Sequence, residues 1–290
     1  MTKRIGGTRA GWMAVVAVTS LAVAACSSPA GSPGQTSTTQ GGTTLTVGME
    51  LAYPPFETKD AAGNPSGLSV DFIKDFGAAN GYTVVIQNTA WDGLIPSLQT
   101  GRVDAVISSM TITEDRKKQV GFSDPYAVAQ LALLVNKDSG VATAADLNQA
   151  GKSVAVKTGS TGDVYATKNL ASAQIIRLSD ETACVTEVVQ GKADAFIYDQ
   201  LTIYRNQVAH PDTTKAVFIP FQDPEYWGVA VKLGNTDLLG KLNAFIATSK
   251  TNGEFDKLTA TYLASEKATF DALGFRWFFD FGAAPSPTSS

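Results

Sequence analysis

From Thr44 onward, short β-branched runs alternate with stretches of helical period, the pattern of an α/β fold. In the first half the pattern predicts strands over 45–48, 82–87 and 103–108, with helices over 68–79 and 94–100. Val70, Ile73 and Phe76 share one face of the helix over 68–79, which Asn80-Gly81 stops. The second half repeats the theme, with strands over 153–156, 174–178 and 193–198 and helices over 162–170 and 181–190. Two closing helices follow over 237–252 and 254–263.

One recurrence ties the halves together. Gln99-Thr100-Gly101-Arg102-Val103-Asp104-Ala105-Val106-Ile107 is echoed by Val189-Gln190-Gly191-Lys192-Ala193-Asp194-Ala195-Phe196-Ile197. Each is a helix end, a glycine cap, a basic residue and an Asp-Ala strand start. Each unit delivers polar residues to the strand's carboxyl edge, Ser108-Ser109 in the first and Asp199 in the second. That edge is where open α/β sheets bind ligands, so two such units facing each other would enclose a cleft.

The N-terminus reads as an address. Lys3, Arg4 and Arg9 precede an apolar run over 13–25 interrupted by Thr19 and Ser20, the layout of a secretory signal. It ends in Val23-Ala24-Ala25-Cys26, which resembles a bacterial lipobox with Cys26 as the lipidated residue. The alternative is an ordinary signal cut near Ala25. The following Ser, Pro, Gly and Thr-rich stretch has no side chain large enough to pack and reads as a flexible tether.

Composition narrows the function classes. With 44% hydrophobic and 17% charged residues, the 290-residue chain is neither a disordered polyelectrolyte nor a fibre. Its 23 basic and 27 acidic residues leave no cationic surplus for nucleic acid. One histidine, His210, and two cysteines, Cys26 and Cys184, are too few for a His/Cys zinc cluster or a histidine-based triad. No metal and no cofactor are expected. Cys184, in an apolar helical pattern, reads as a small buried hydrophobe.

The candidate chemistry is anion and ammonium recognition. Thr113 is a good N-cap, which sets Arg116 at the start of a short helix near Ser108, Ser109 and Thr111. A guanidinium there can grip both oxygens of a carboxylate. Alternatively, Arg116 belongs with Glu114, Asp115, Lys117 and Lys118 to a solvated face. Lys157-Thr158-Gly159-Ser160-Thr161-Gly162-Asp163 is a glycine-broken turn entering a helix, without the Gly-Lys-Ser/Thr ending of a P-loop. Its Thr158, Ser160 and Thr161 are donors suited to a small anion. Asp199 ends an apolar strand and needs a cation or water. Tyr53 and Trp91 supply flat walls or core packing, and Glu50 is a further carboxylate at the end of the first strand.

Together these residues resemble the periplasmic solute-binding proteins of polar amino-acid ABC transporters, the family that includes lysine/arginine/ornithine-, histidine- and glutamine-binding proteins. The likeness rests on Tyr53-Pro54-Pro55-Phe56-Glu57, Gly67-Leu68-Ser69-Val70-Asp71, Trp91-Asp92-Gly93-Leu94-Ile95-Pro96-Ser97-Leu98 and Ser108-Ser109-Met110-Thr111-Ile112-Thr113-Glu114-Asp115-Arg116. Phe122-Ser123-Asp124-Pro125-Tyr126, Gly159-Ser160-Thr161 and Tyr226-Trp227-Gly228-Val229-Ala230 complete the series in family order.

The resemblance implies a two-lobed type II periplasmic binding protein (Venus-flytrap) with two crossover strands near 127–133 and 222–228. It implies a signal peptide over 1–25, lipidated Cys26 and linker over 26–43, a first lobe from 44–129 plus 226–290, and a second from 130–225. By matched position, Arg116 would hold a ligand α-carboxylate, helped by Thr111, Ser109 and Thr161. Asp199, with Ser109, would hold the α-ammonium, Tyr53 and Trp91 would sandwich the side chain, and Glu50 stands where basic-ligand members carry a carboxylate.

The implied function is capture of a polar L-amino acid by a monomeric lipoprotein for an ABC permease, with no enzymatic step. A cyclohexadienyl dehydratase-like enzyme and an extracytoplasmic sensor are the alternatives. The aromatic tail over 267–280 extends past the usual closing helix and is expected to fold back on the first lobe.

Overall fold

A computed structural model describes residues 42–282. The predicted signal segment over 1–25, Cys26 and nearly all of the tether lie outside the described residues. Two mixed sheets, each flanked by helices, organise the chain.

The first half contributes β1 (Thr43–Met49), a small hairpin of β2 (Thr58–Lys59) and β3 (Pro65–Ser66), and α1 (Leu68–Ala79). It continues with β4 (Tyr82–Asn88), α2 (Trp91–Gln99), β5 (Ala105–Val106), α3 (Glu114–Lys117) and β6 (Gly121–Phe122). Next come β7 (Ala127–Ala129), β8 (Leu131–Asn136), β9 (Ser153–Lys157), α4 (Thr161–Asn169) and β10 (Gln174–Leu178). They are followed by α5 (Glu181–Val189), β11 (Ala195–Asp199), α6 (Gln200–Ala209) and β12 (Thr214–Val217). The chain ends with β13 (Glu225–Trp227), β14 (Ala230–Val231), α7 (Thr236–Ser249), α8 (Glu254–Tyr262) and α9 (Ala264–Ala272).

The first sheet has the order β4-β1-β5-β14-β6 and the second β10-β9-β11-β8-β12. Within each, the first three strands are parallel, and the remaining pairings are antiparallel. The first sheet therefore takes β14 from the far end of the chain. Two strands link the sheets, β7 and β13, and they pair antiparallel, with Glu225 opposite Ala129 and Trp227 opposite Ala127. This is the two-lobed architecture with two crossovers that the motifs imply.

Local chemistry accounts for the helix positions. α1 spans the predicted residues and buries Val70, Ile73 and Phe76 against the first sheet. The Gly67 before it has φ 124°, and a Cβ there would stand 2.4 Å from the Phe56 carbonyl oxygen, so only glycine fits. Predicted strand 103–108 shortens to β5 because the chain leaves the ladder after Val106 and turns through Ser109 at φ 48°. Helix α2 starts three residues ahead of its predicted start, with Trp91 as its first residue. α6 and α9 escaped the sequence reading because their polar composition gives little periodic signal. Cys184 is fully buried in α5, where burial pushes its thiol up to about 12.

The aromatic tail folds back as expected. Trp277 and Phe278 are buried, and the Phe278 ring lies 5.1 Å from Phe56 and 5.4 Å from Trp227. The Val128 amide of β7 donates to the Phe278 carbonyl at 2.7 Å, which adds the tail to the crossover pair. The tail also reaches the second lobe, since Phe275 packs 4.6 Å from Phe218 and α9 presents Glu266 to Arg205 of α6 at 3.6 Å. Phe278→Ala should therefore cost about 3–5 kcal/mol in urea unfolding, as a fully buried ring does. A loss below 1 kcal/mol would show the tail to be an appendage.

Candidate functional site

A narrow cleft lies between the two sheets, lined by side chains from both. Its walls come from both lobes. Glu50, Tyr53, Trp91, Ser108, Ser109, Thr111 and Arg116 stand on the first; Ser160, Thr161 and Asp199 stand on the second. Thr158, the remaining predicted residue, is outside the cleft. It is exposed, and its hydroxyl donates to the Leu178 carbonyl at 3.0 Å, because the strand-end turn points it toward β10.

The first-lobe residues are held by backbone geometry. The Glu50 amide donates to Ser108 Oγ at 3.0 Å. With Trp91 first in α2, its amide has no helical acceptor and donates to Glu50 Oε1 at 3.2 Å. Thr111 forms a bridge with Trp227, and the Ile112 amide donates to the Tyr226 carbonyl at 2.7 Å, which seats this loop against β13. Thr113 caps α3 by accepting from the Arg116 amide at 3.2 Å, and the Arg116 guanidinium turns inward. Arg116 Nη1 donates to the Thr111 carbonyl at 2.7 Å and Nη2 to the Gly159 carbonyl of the second lobe at 3.1 Å. The guanidinium carbon lies 5.1 Å from the Trp91 ring centre, in cation–π range. The solvated alternative for Arg116 is thereby excluded, whereas Lys117 and Lys118 pair with Glu114 and Asp115 outside.

On the second lobe, Ser160 caps α4 by accepting from the Asp163 amide at 3.2 Å. Gly162 lets this helix start approach β11 closely, since a Cβ there would fall 2.5 Å from the Ile197 carbonyl oxygen. Asp199 closes β11 and caps α6, accepting from the Leu201 and Thr202 amides at 2.9 and 3.1 Å and the Thr202 hydroxyl at 2.8 Å. Burial raises its carboxyl despite these donors, and among the described residues no lysine or arginine pairs with it. Its uncompensated charge faces the cleft.

Ionisable residues that sequence reasoning missed complete the site. Lys157, at the end of β9, is 1% exposed. Its ammonium contacts Glu50 across the cleft, donates to Glu181 Oε1 at 2.9 Å and lies 5.3 Å from the Trp91 ring centre. Tyr198 donates to the same Glu181 oxygen at 2.6 Å. Burial pulls Lys157 down, but Glu181 and Glu50 outweigh it and leave the ammonium raised; Glu50 is raised by burial, offset in part by Lys157. The carboxylate read from sequence as open to a basic ligand thus already holds a cation from the chain itself.

Glu225, one residue before a quoted motif, is the second omission. Its Oε2 accepts from the Thr111 hydroxyl at 2.9 Å and the Thr161 hydroxyl at 2.8 Å, and Gln222 donates to Oε1 at 2.7 Å. Burial raises Glu225 despite these donors and the nearby Arg116, while burial lowers Arg116. Glu57 is the third, a fully buried carboxyl on the cleft floor near the hydroxyls of Ser69 and Ser109. Its backbone pairs with Tyr53, whose ring stacks on Phe56 at 5.4 Å and lines the cleft as part of an aromatic wall.

Burial pushes the Glu57 carboxyl up to about 8, so it is neutral at pH 7. A carboxyl raised on folding stabilises most below its unfolded range and loses that contribution as pH climbs to the folded value. Between about pH 4.5 and 8, stability of the native chain should fall by on the order of 4 kcal/mol relative to Glu57→Gln. Urea unfolding of both at a series of pH values tests this, and parallel pH profiles would refute it.

The chain matches the model of the bacterial extracellular solute-binding proteins, family 3, over residues 45–265. It is 32% identical over 267 residues to the "Probable histidine-binding protein" of Neisseria gonorrhoeae, covering 88% of this chain and 96% of that one. It superposes with a TM-score of 0.70 and 36% identity on an ancestral arginine-binding protein bound to arginine, covering 76% of this chain and 98% of that one. A TM-score of 0.69 and 36% identity relate it to the ancestral amino acid-binding protein AncCDT-1, a precursor of cyclohexadienyl dehydratase, over 76% of this chain and 95% of that one.

Proposed function

Because the chain belongs to the bacterial extracellular solute-binding proteins, family 3, we propose that it captures a free polar L-amino acid between its lobes and passes it to an ABC importer permease. It works outside the cell membrane, tethered through lipidated Cys26. The sequence Val23-Ala24-Ala25-Cys26 after an apolar run supports that anchor, and among the described residues no helix is long and apolar enough to cross a membrane.

One observation carries the reading of the site. Arg116 from one lobe and Asp199 from the other line a single cleft, and among the described residues Asp199 has no cationic partner. A zwitterion fits this pair: its ammonium neutralises Asp199, and its carboxylate meets the guanidinium and, once Glu225 gives way, the hydroxyls of Thr111 and Thr161. Ser108, Ser109 and Ser160 add polar wall, and Trp91 and Tyr53 give the ligand side chain flat surfaces. Binding across both lobes draws them together and excludes water, which strengthens each charged contact.

The reading is capture without turnover. The similar protein described as a dehydratase precursor is itself described as amino acid-binding.

Calorimetry with the common amino acids, ornithine and cystine tests the assignment. Arg116→Ala and Asp199→Asn should each weaken the bound amino acid by 100-fold or more, because each strands one charge of a buried ligand at a cost of about 3–5 kcal/mol. Thr158→Ala should change affinity less than two-fold. Unchanged binding in Arg116→Ala, with the fold intact by circular dichroism, would refute the assignment.

A further inference from the structure

The anion end of the cleft is already filled by the chain itself. Glu225 brings a carboxylate to the groups that the proposed function gives to the ligand carboxylate. Oε2 takes the Thr111 hydroxyl from one lobe at 2.9 Å and the Thr161 hydroxyl from the other at 2.8 Å. Arg116, whose guanidinium lines the same cleft, attracts it electrostatically. The residue stands at the first position of β13, a crossover strand, opposite Ala129 of β7. It therefore enters the cleft from the connection between the lobes.

Resting on the amino-acid reading of the cleft, we propose that Glu225 is a resident competitor for the α-carboxylate subsite and sets how strongly the protein discriminates at that end of its ligand. Two carboxylates drawing on one guanidinium and one pair of hydroxyls repel each other, and one must leave or take up a proton. An entering amino acid thus displaces the Glu225 carboxylate from Thr111 and Thr161 before its own carboxylate can be held. A ligand that keeps the ammonium and side chain but has an amide in place of the carboxylate brings no such repulsion. Gln222, which donates to the other Glu225 oxygen at 2.7 Å, steadies the resident group in its occupying position.

Calorimetry with three matched pairs separates the possibilities: L-arginine and L-argininamide, L-histidine and L-histidinamide, L-glutamine and L-glutaminamide. Glu225→Gln and Glu225→Ala should each tighten the best-bound free acid at least ten-fold, while affinity for its amide shifts less than three-fold. Melting of the unliganded variants checks that both fold. Equal loss of acid and amide binding would make Glu225 a structural brace and overturn the proposal, as would unchanged acid affinity. Should the native protein and the variants all fail to bind any of the six probes, the amino-acid reading of the cleft would fall first, and the competitor role with it.

Discussion

Charge buried between the lobes must be met by opposite charge, and the fold arranges for each half of the chain to supply what the other lacks. Lys157 at the end of β9 is out of water, between Glu181 of its own lobe and Glu50 of the opposite one. Removing one member of such a buried set typically costs about 3–5 kcal/mol, because the remaining charge stays in the low-dielectric interior. Arg116 reaching the Gly159 carbonyl, and Thr111 and Thr161 converging on Glu225, tie the walls in the same manner. These contacts bridge the two walls of the cleft. Asp199 differs: it is a buried acid held by hydrogen bonds, with no lysine or arginine paired to it among the described residues.

The crossover region transmits that arrangement. β7 and β13 pair for only a few residues, yet β13 carries Glu225 into the cleft and Trp227 into the aromatic core of the first lobe. The tail past residue 265, the end of the family match, is laid over the same strands. Phe278 packs on Trp227 and accepts from the Val128 amide, while Phe275 and Glu266 touch the second lobe. The tail thus touches both lobes where the two crossover strands join them.

Much of this was legible before any coordinates. Hydrophobic periodicity placed α1 at its observed bounds, since it buries one regular face against the first sheet, and the β-branched run of β10 also matched its strand. The quoted motifs supplied Arg116 and most of the polar residues that line the cleft, and the strand edge of the second unit supplied Asp199. Lys157 and Thr158 are neighbours in one turn, but Lys157 meets Glu50 and Glu181 while Thr158 lies outside the cleft. One side chain at a strand end points into the cleft, and its neighbour turns to the Leu178 carbonyl, because adjacent residues leave a strand on opposite faces.

Sequence alone determined most of the helices and parallel strands, their order and the chemical types delivered to the carboxyl edges of two sheets, because those follow from local periodicity and capping. Only the tertiary structure decided which charges face one another. Glu50 and Lys157 are 107 positions apart, and Thr111 and Glu225 are 114 apart, in a cleft built by two crossing strands. Electrostatic partnership depends on distance in space and exclusion of water, neither of which is carried by position along the chain.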